Sequence, residues 1–267
     1  MQYANNDGVR LAYERAGPTD APTVIFVEGL GYGRWMWRWQ RQALEDDYDT
    51  IVWDNRGTGD SDAPTGPYTT TGMASDLAAV LDAAGVGRAH VVGASMGGMI
   101  AQQFALEYDR TRSLTLMCTS PGGPEARGVP DETAKRLATV PEDYDEREKR
   151  RYKMATAMSE SFMAENDALV ERIVDWRLAS DPTERALGWQ RAAVEGFDVH
   201  DRLEDIQVPA LVMHGTADRV VPHENGALLA AGLPTAEFVT FEDAPHLFFI
   251  ERHEAVTDRL RGFLPDG

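Results

Sequence analysis

The chain is poor in cysteine, lysine and long apolar runs, and each shortage excludes something. Of its 267 residues one is cysteine, Cys118, so no internal disulfide can form and a reducing compartment suits it. Cys118 ends the apolar run Leu114-Thr115-Leu116-Met117-Cys118, where it reads as a small buried hydrophobe. The amino terminus has neither the basic region nor the apolar core of a signal peptide, and no apolar run reaches membrane-spanning length. The expectation is a cytoplasmic protein with no membrane association. Basic charge is scarce: 26 Lys and Arg stand against 44 Asp and Glu, a formal net charge of −18, which opposes nucleic acid and anionic lipid as partners. Only Lys135, Lys149 and Lys153 are lysines. An acidic, lysine-poor surface is what a halophilic protein carries, and it predicts stabilisation by salt; an arginine-favouring genome is the alternative source of the same composition.

What is present is a rhythm. Gln2-Tyr3-Ala4 and Val9 to Tyr13 flank Asn6-Asp7-Gly8 as an opening hairpin. Then strands (23–27, 50–53, 89–92, 111–117) alternate with helices (35–44, 73–84 and one after Ser95), the pattern of a mostly parallel sheet covered on both faces. The rhythm stops at Ser120-Pro121-Gly122-Gly123-Pro124. Up to about Ile206 the sequence is charged and helical, with helices expected over 142–163, 167–178 and 183–194. It resumes with strands at 210–214 and 236–241 and helices at 224–231 and 254–263. The implied organisation is a core of residues 1–120 and 207–267, with 121–206 inserted as a helical cap.

The chemistry centres on Gly93-Ala94-Ser95-Met96-Gly97. A β-branched apolar run precedes it and a helical pattern follows, so Ser95 sits on a strand-to-helix turn that exposes its hydroxyl beside free helix N–H groups. A serine nucleophile needs a base, and the base an orienting carboxylate. Asp218 and His246 lie on loops leaving the next two strands, after the serine and in that order. Asp243 is the rival acid, and His90, His200, His214, His223 and His253 the rival imidazoles; they are assigned structural or surface places. The oxyanion donors are expected to be the N–H of Met96 and that of Leu30, in the loop Glu28-Gly29-Leu30-Gly31.

Together, Glu28 to Gly31, Asp54 to Ser61, Gly93 to Gly97, Gly215 to Pro222 and Pro245-His246 resemble the α/β-hydrolase family in order and spacing, and Ser61 to Thr69 with Gly93 to Ile100 look most like its enol-lactonases and carboxylesterases. The resemblance implies an eight-stranded sheet, a helical cap, and neither metal nor organic cofactor. Many members have histidine where Glu28 stands. Because Glu28 and Arg56 leave neighbouring strands at one sheet end, an ion pair between them is expected to neutralise the acid. Trp35 is expected to line an acyl pocket, and Trp37 to pack in the core. The cap's aromatics and methionines predict a largely apolar cavity for a small to medium ester or lactone; Arg151, Arg172, Arg177 and Arg191 leave a carboxylate-bearing lactone open. Dehalogenase chemistry on this fold would want aspartate at position 95; perhydrolase and slow-turnover receptor chemistries stay open, as does a homodimer.

Overall fold

The computed structural model describes residues 1–264. Its strands are β1 (Gln2–Asn6), β2 (Val9–Ala16), β3 (Thr23–Val27), β4 (Asp49–Trp53), β5 (Ala89–Ala94), β6 (Thr111–Met117), β7 (Ala210–Gly215) and β8 (Ala236–Phe241). They form one eight-stranded sheet in the order β1-β2-β4-β3-β5-β6-β7-β8, antiparallel at β1/β2 and β2/β4 and parallel elsewhere. The opening hairpin turns at Asp7 (φ 49°) and Gly8 (φ 90°), both left-handed as a tight hairpin with right-twisted strands requires.

The strand sequences explain the layers. Successive side chains alternate faces, so in β3 Ile25 and Val27 join one buried cluster while Val24 and Phe26 join the other, and in β7 Val212 opposes Leu211 and Met213 in the same way. Continuous apolar strands are what a sheet buried on both faces demands. On one face pack α2 (Thr70–Ala83) and α3 (Met96–Glu107), through Leu77, Ile100 and Phe104. The other face is closed by a 3-10 turn at Arg34–Trp37, α1 (Arg38–Leu44) and the carboxyl-terminal helices α10 (Phe248–Glu251) and α11 (His253–Phe263), while α9 (Glu224–Gly232), between β7 and β8 in the chain, packs with α2 and α3 on the first face through Leu229. Trp37 is fully buried there, 5.2 Å from Phe26 and 5.1 Å from Phe249 between ring centres.

Between β6 and β7 lie α4 (Asp131–Ala138), α5 (Glu146–Met154), α6 (Glu160–Glu165), α7 (Asp167–Ser180) and α8 (Glu184–Glu195), followed by a 3-10 turn at His200–Asp205. The helix expected over 142–163 is two helices. Ser159 caps α6 by accepting from the Phe162 N–H (3.2 Å), and the stretch before it bonds outward instead of onward: the Leu247 N–H donates to the Ala157 carbonyl (2.8 Å), and Glu251 accepts from both the N–H and the hydroxyl of Ser159 (2.7 Å each). Helix α4, in a polar segment with one buried residue, and the short α10 were not expected from the sequence pattern.

Candidate active site

Ser95 stands between β5 and α3 with φ 54° and ψ −123°, a conformation side chains rarely adopt. The neighbours hold it there. Its N–H donates to the Met117 carbonyl (2.9 Å), and its own carbonyl accepts the Thr119 hydroxyl (2.7 Å) and the N–H of Gly98 (2.9 Å). The flanking glycines are dictated by space: a Cβ on Gly93 would lie 2.3 Å from the Gly97 carbonyl oxygen, and one on Gly97 would lie 2.1 Å from that of Val27. Strand and helix therefore cross in backbone contact, and Ser95 is thrust out at the carboxyl end of the sheet.

The same sheet end receives the loops after β7 and β8. Asp218 and His246 are both buried, and His246 Nδ1 lies 2.7 Å from Asp218 Oδ2. The Val220 and Val221 N–H groups donate to Asp218 Oδ1 (2.8 and 2.9 Å). A second imidazole also reaches this carboxylate: His214 Nε2 is 3.2 Å from Oδ2 and 2.9 Å from the Val221 carbonyl, which fixes a proton on Nε2. Burial acts to raise the Asp218 pKa, but the imidazoles of His246 and His214 outweigh it and hold the carboxyl well below its usual range. Asp218 thus stays a charged acceptor, suited to fixing His246 in one tautomer with Nε2 free.

Of the other rival groups, three histidines and Asp243 have partners of their own. His90 is buried against the Ser113 hydroxyl (2.7 Å), with its pKa lowered to about 4 by burial and the Arg112 charge. His223 meets Thr240 (3.1 Å), and His253 stacks on Trp39. Asp243 sits at a turn of positive φ, its N–H on the Thr216 hydroxyl (2.8 Å).

A cavity of about 300 Å³ brings Ser95, His246 and Leu30 together. The Leu30 and Met96 N–H groups have no acceptor within the protein among the described residues, as donors kept for a ligand oxygen must. The Met96 side chain itself is packed in the core. The Glu28–Gly31 loop is braced from both sides: Gly29 N–H points to Met36 Sδ (3.4 Å), and the buried Gln190 of α8 accepts from the Gly31 N–H (3.1 Å) while donating to the Thr58 hydroxyl (2.8 Å) and the Arg56 carbonyl (3.0 Å). Sequence reasoning had no means of finding Gln190, a contact 159 residues distant along the chain.

Two expectations are corrected. Glu28 does not pair with Arg56. The Arg56 guanidinium is taken by Asp76 of α2 (2.6 and 2.7 Å), whereas Glu28 accepts the Asn55 N–H and leaves Oε2 without a partner. Burial first, and the charge of Asp54 second, push the Glu28 pKa well up, so the site disfavours the charged form of an acid that no ion pair compensates. Trp35 does not line the cavity. It packs between Tyr32 (5.7 Å) and Trp176 (5.4 Å) and donates to the Ser180 hydroxyl (3.1 Å), binding α7 to the core. The cavity is lined mostly by apolar surface, as expected, with Leu137, Leu187 and Phe249 among it, but Arg150, Lys153 and Arg177 share the lining. Arg191 lines it too, while Arg151 bonds Glu171 and Asp167, and Arg172 lies over Trp176. Among the described residues no group of His, Cys, Asp and Glu is arranged to hold a metal ion, and no helix is long and apolar enough to cross a membrane.

An eight-stranded sheet of this order, with a strained serine between strand and helix and an acid and an imidazole on the two strand-exit loops that follow, defines the class. Residues 22–253 match the alpha/beta hydrolase fold family, and the chain belongs to it. It is 34% identical over 269 residues to a protein of Azorhizobium caulinodans named as carbamate hydrolase RutD, covering 98% of each chain. It is 28% identical to 3-oxoadipate enol-lactonase 1 of Acinetobacter baylyi, covering 99% of this chain and 96% of that one. Among solved structures, a thermophilic esterase from Thermogutta terrifontis superposes with a TM-score of 0.79 at 31% identity, over 98% of this chain and 97% of the other. The relatives are hydrolases.

Proposed function

We propose that the protein is a serine hydrolase of carboxylic esters, with Ser95 as nucleophile, His246 as general base and acid, and Asp218 orienting the imidazole. The observation that carries this reading is the 2.7 Å His246–Asp218 contact behind a cavity that His246 lines together with Ser95 on its strained turn. His246 Nε2 takes the Ser95 hydroxyl proton as Oγ attacks the carbonyl carbon, and the N–H groups of Met96 and Leu30 hold the developing oxyanion. Collapse expels the alkoxide, which takes the proton from His246 and leaves as the alcohol. Water, deprotonated by the same nitrogen, attacks the acyl-enzyme, and Ser95 departs as the carboxylic acid is formed. In this reading residues 121–206 form the cap, and Gln190 and Leu247 join it to the oxyanion and histidine loops.

The same machinery opens a lactone, the leaving alcohol then staying attached to the released acid. The enol-lactonase relative and the basic groups in the cavity favour this second reading. Ser95→Ala assayed on p-nitrophenyl acetate and butyrate tests the assignment. A fall in kcat of about a thousandfold or more is expected; activity within tenfold of the parent would refute it.

A further inference from the structure

The cavity carries more positive charge than the fold uses. Helix α5 lends the cavity Glu146, Arg150 and Lys153 at i, i+4 and i+7, α7 lends it Arg177, with Asp181 just past its end, and α8 lends it Glu184, Leu187 and Arg191. Two of these cations are spoken for. Arg177 binds Asp181 at 2.9 Å, and Arg150 binds Glu146 and lies 3.5 Å from Asp181, so these pairs fasten α5 to the end of α7. Among the described residues Lys153 and Arg191 make no salt bridge and no side-chain hydrogen bond, and Glu184, the remaining acid of the lining, makes none with either. Two unpaired cations facing the cavity of the nucleophile are notable in a chain with a net charge of −18 and three lysines. Leaving Lys153 there is uphill: burial, then the guanidiniums of Arg191, Arg150 and Arg177, pull its pKa below the ordinary value. Arg150 and Arg177 each have a carboxylate in direct contact; Lys153 has only the more distant charge of Glu184, which does not offset burial and the three guanidiniums.

We propose that Lys153 and Arg191 form an anion subsite that receives a carboxylate on the substrate, so that the preferred esters or lactones carry a free carboxylate as well as the scissile carbonyl. This rests on the serine-hydrolase reading for its orientation but not for its existence. The carboxylate supplies the missing counter-charge to both cations, and Glu184 repels substrates that would place it elsewhere along α8.

The test compares two esters of matched length, mono-p-nitrophenyl glutarate and p-nitrophenyl pentanoate, at fixed ionic strength. The parent is expected to show the higher kcat/KM on the glutarate, and the ratio of the two values should fall by roughly tenfold or more in Lys153→Met and in Arg191→Met, mainly through KM. Lys153→Arg, which keeps the charge, should hold most of the ratio. Arg191 is exposed, so Arg191→Met gives a second variant should Lys153→Met fail to fold. Equal or better use of the pentanoate by the parent, with a ratio that neither substitution moves, overturns the subsite and leaves the hydrolase reading standing. Should neither ester turn over, the hydrolase reading fails, and calorimetric titration of the Ser95→Ala protein with monomethyl glutarate judges the subsite alone. Binding that Lys153→Met weakens tenfold supports it; no binding overturns it.

Discussion

Glu28→Gln separates a protonated acid beside the oxyanion loop from an ionised one. In the fold Glu28 is fully buried, its Oε1 accepts the Asn55 N–H, its Oε2 has no hydrogen-bond partner among the described residues, and Arg34, the guanidinium whose charge acts on it, is already held by Asp54 and Glu14. Its pKa is raised by burial and by Asp54, whereas in the unfolded chain it titrates near 4.5. Between these two values the folded protein keeps a proton that the unfolded chain has lost, so stability falls as pH rises, by about 1.4 kcal/mol per pH unit. Glutamine has no proton to lose and lacks this slope. Urea unfolding of both proteins at half-unit steps from pH 4.5 to 8 should show the variant gaining on the parent by that amount per unit, then levelling where the folded acid finally ionises. Parallel stability curves across the range would mean that Glu28 ionises as an ordinary carboxyl, and the account of a neutral acid under the oxyanion loop would be wrong.

Three further outcomes are expected. His214→Phe keeps the ring but removes the donor 3.2 Å from Asp218 Oδ2, and should lower kcat about tenfold with little change in KM; an unchanged kcat would deny His214 a positioning role. Gly97→Ala should cost more than about 3 kcal/mol, seen as a depressed Tm or loss of folded protein, because its Cβ would meet the Val27 carbonyl oxygen at 2.1 Å and backbone cannot yield. With a net charge of −18, Tm should climb by several degrees between dilute buffer and molar sodium chloride; a flat calorimetric series would refute the salt expectation.

The strand and helix alternation, the opening hairpin at Asp7-Gly8 and the turn at Ser95 were legible in the sequence because each is decided locally. A period of two marks a strand, a period near four a helix, and a glycine marks a place where a Cβ has no room; strands expected over 111–117 and 236–241 coincide with β6 and β8. The chain order serine, acid, histidine could be read as well, since strands that run parallel deliver their exit loops to the same edge, and Asp218 and His246 do meet there at 2.7 Å.

Tertiary structure alone decided the partners. The sequence pattern suggested Glu28 as the partner of Arg56, and the packing of α2 gave it Asp76 instead. The helix expected through 155–159 ended because Leu247 and Glu251, some ninety residues later, take up its backbone and its serine. Gln190 found Gly31, and Lys153 and Arg191 were left lining the cavity with no salt bridge among the described residues, for the same reason. Such outcomes depend on which charged faces of separate helices are brought together, and a one-dimensional pattern carries the period of each face but not its neighbour across space.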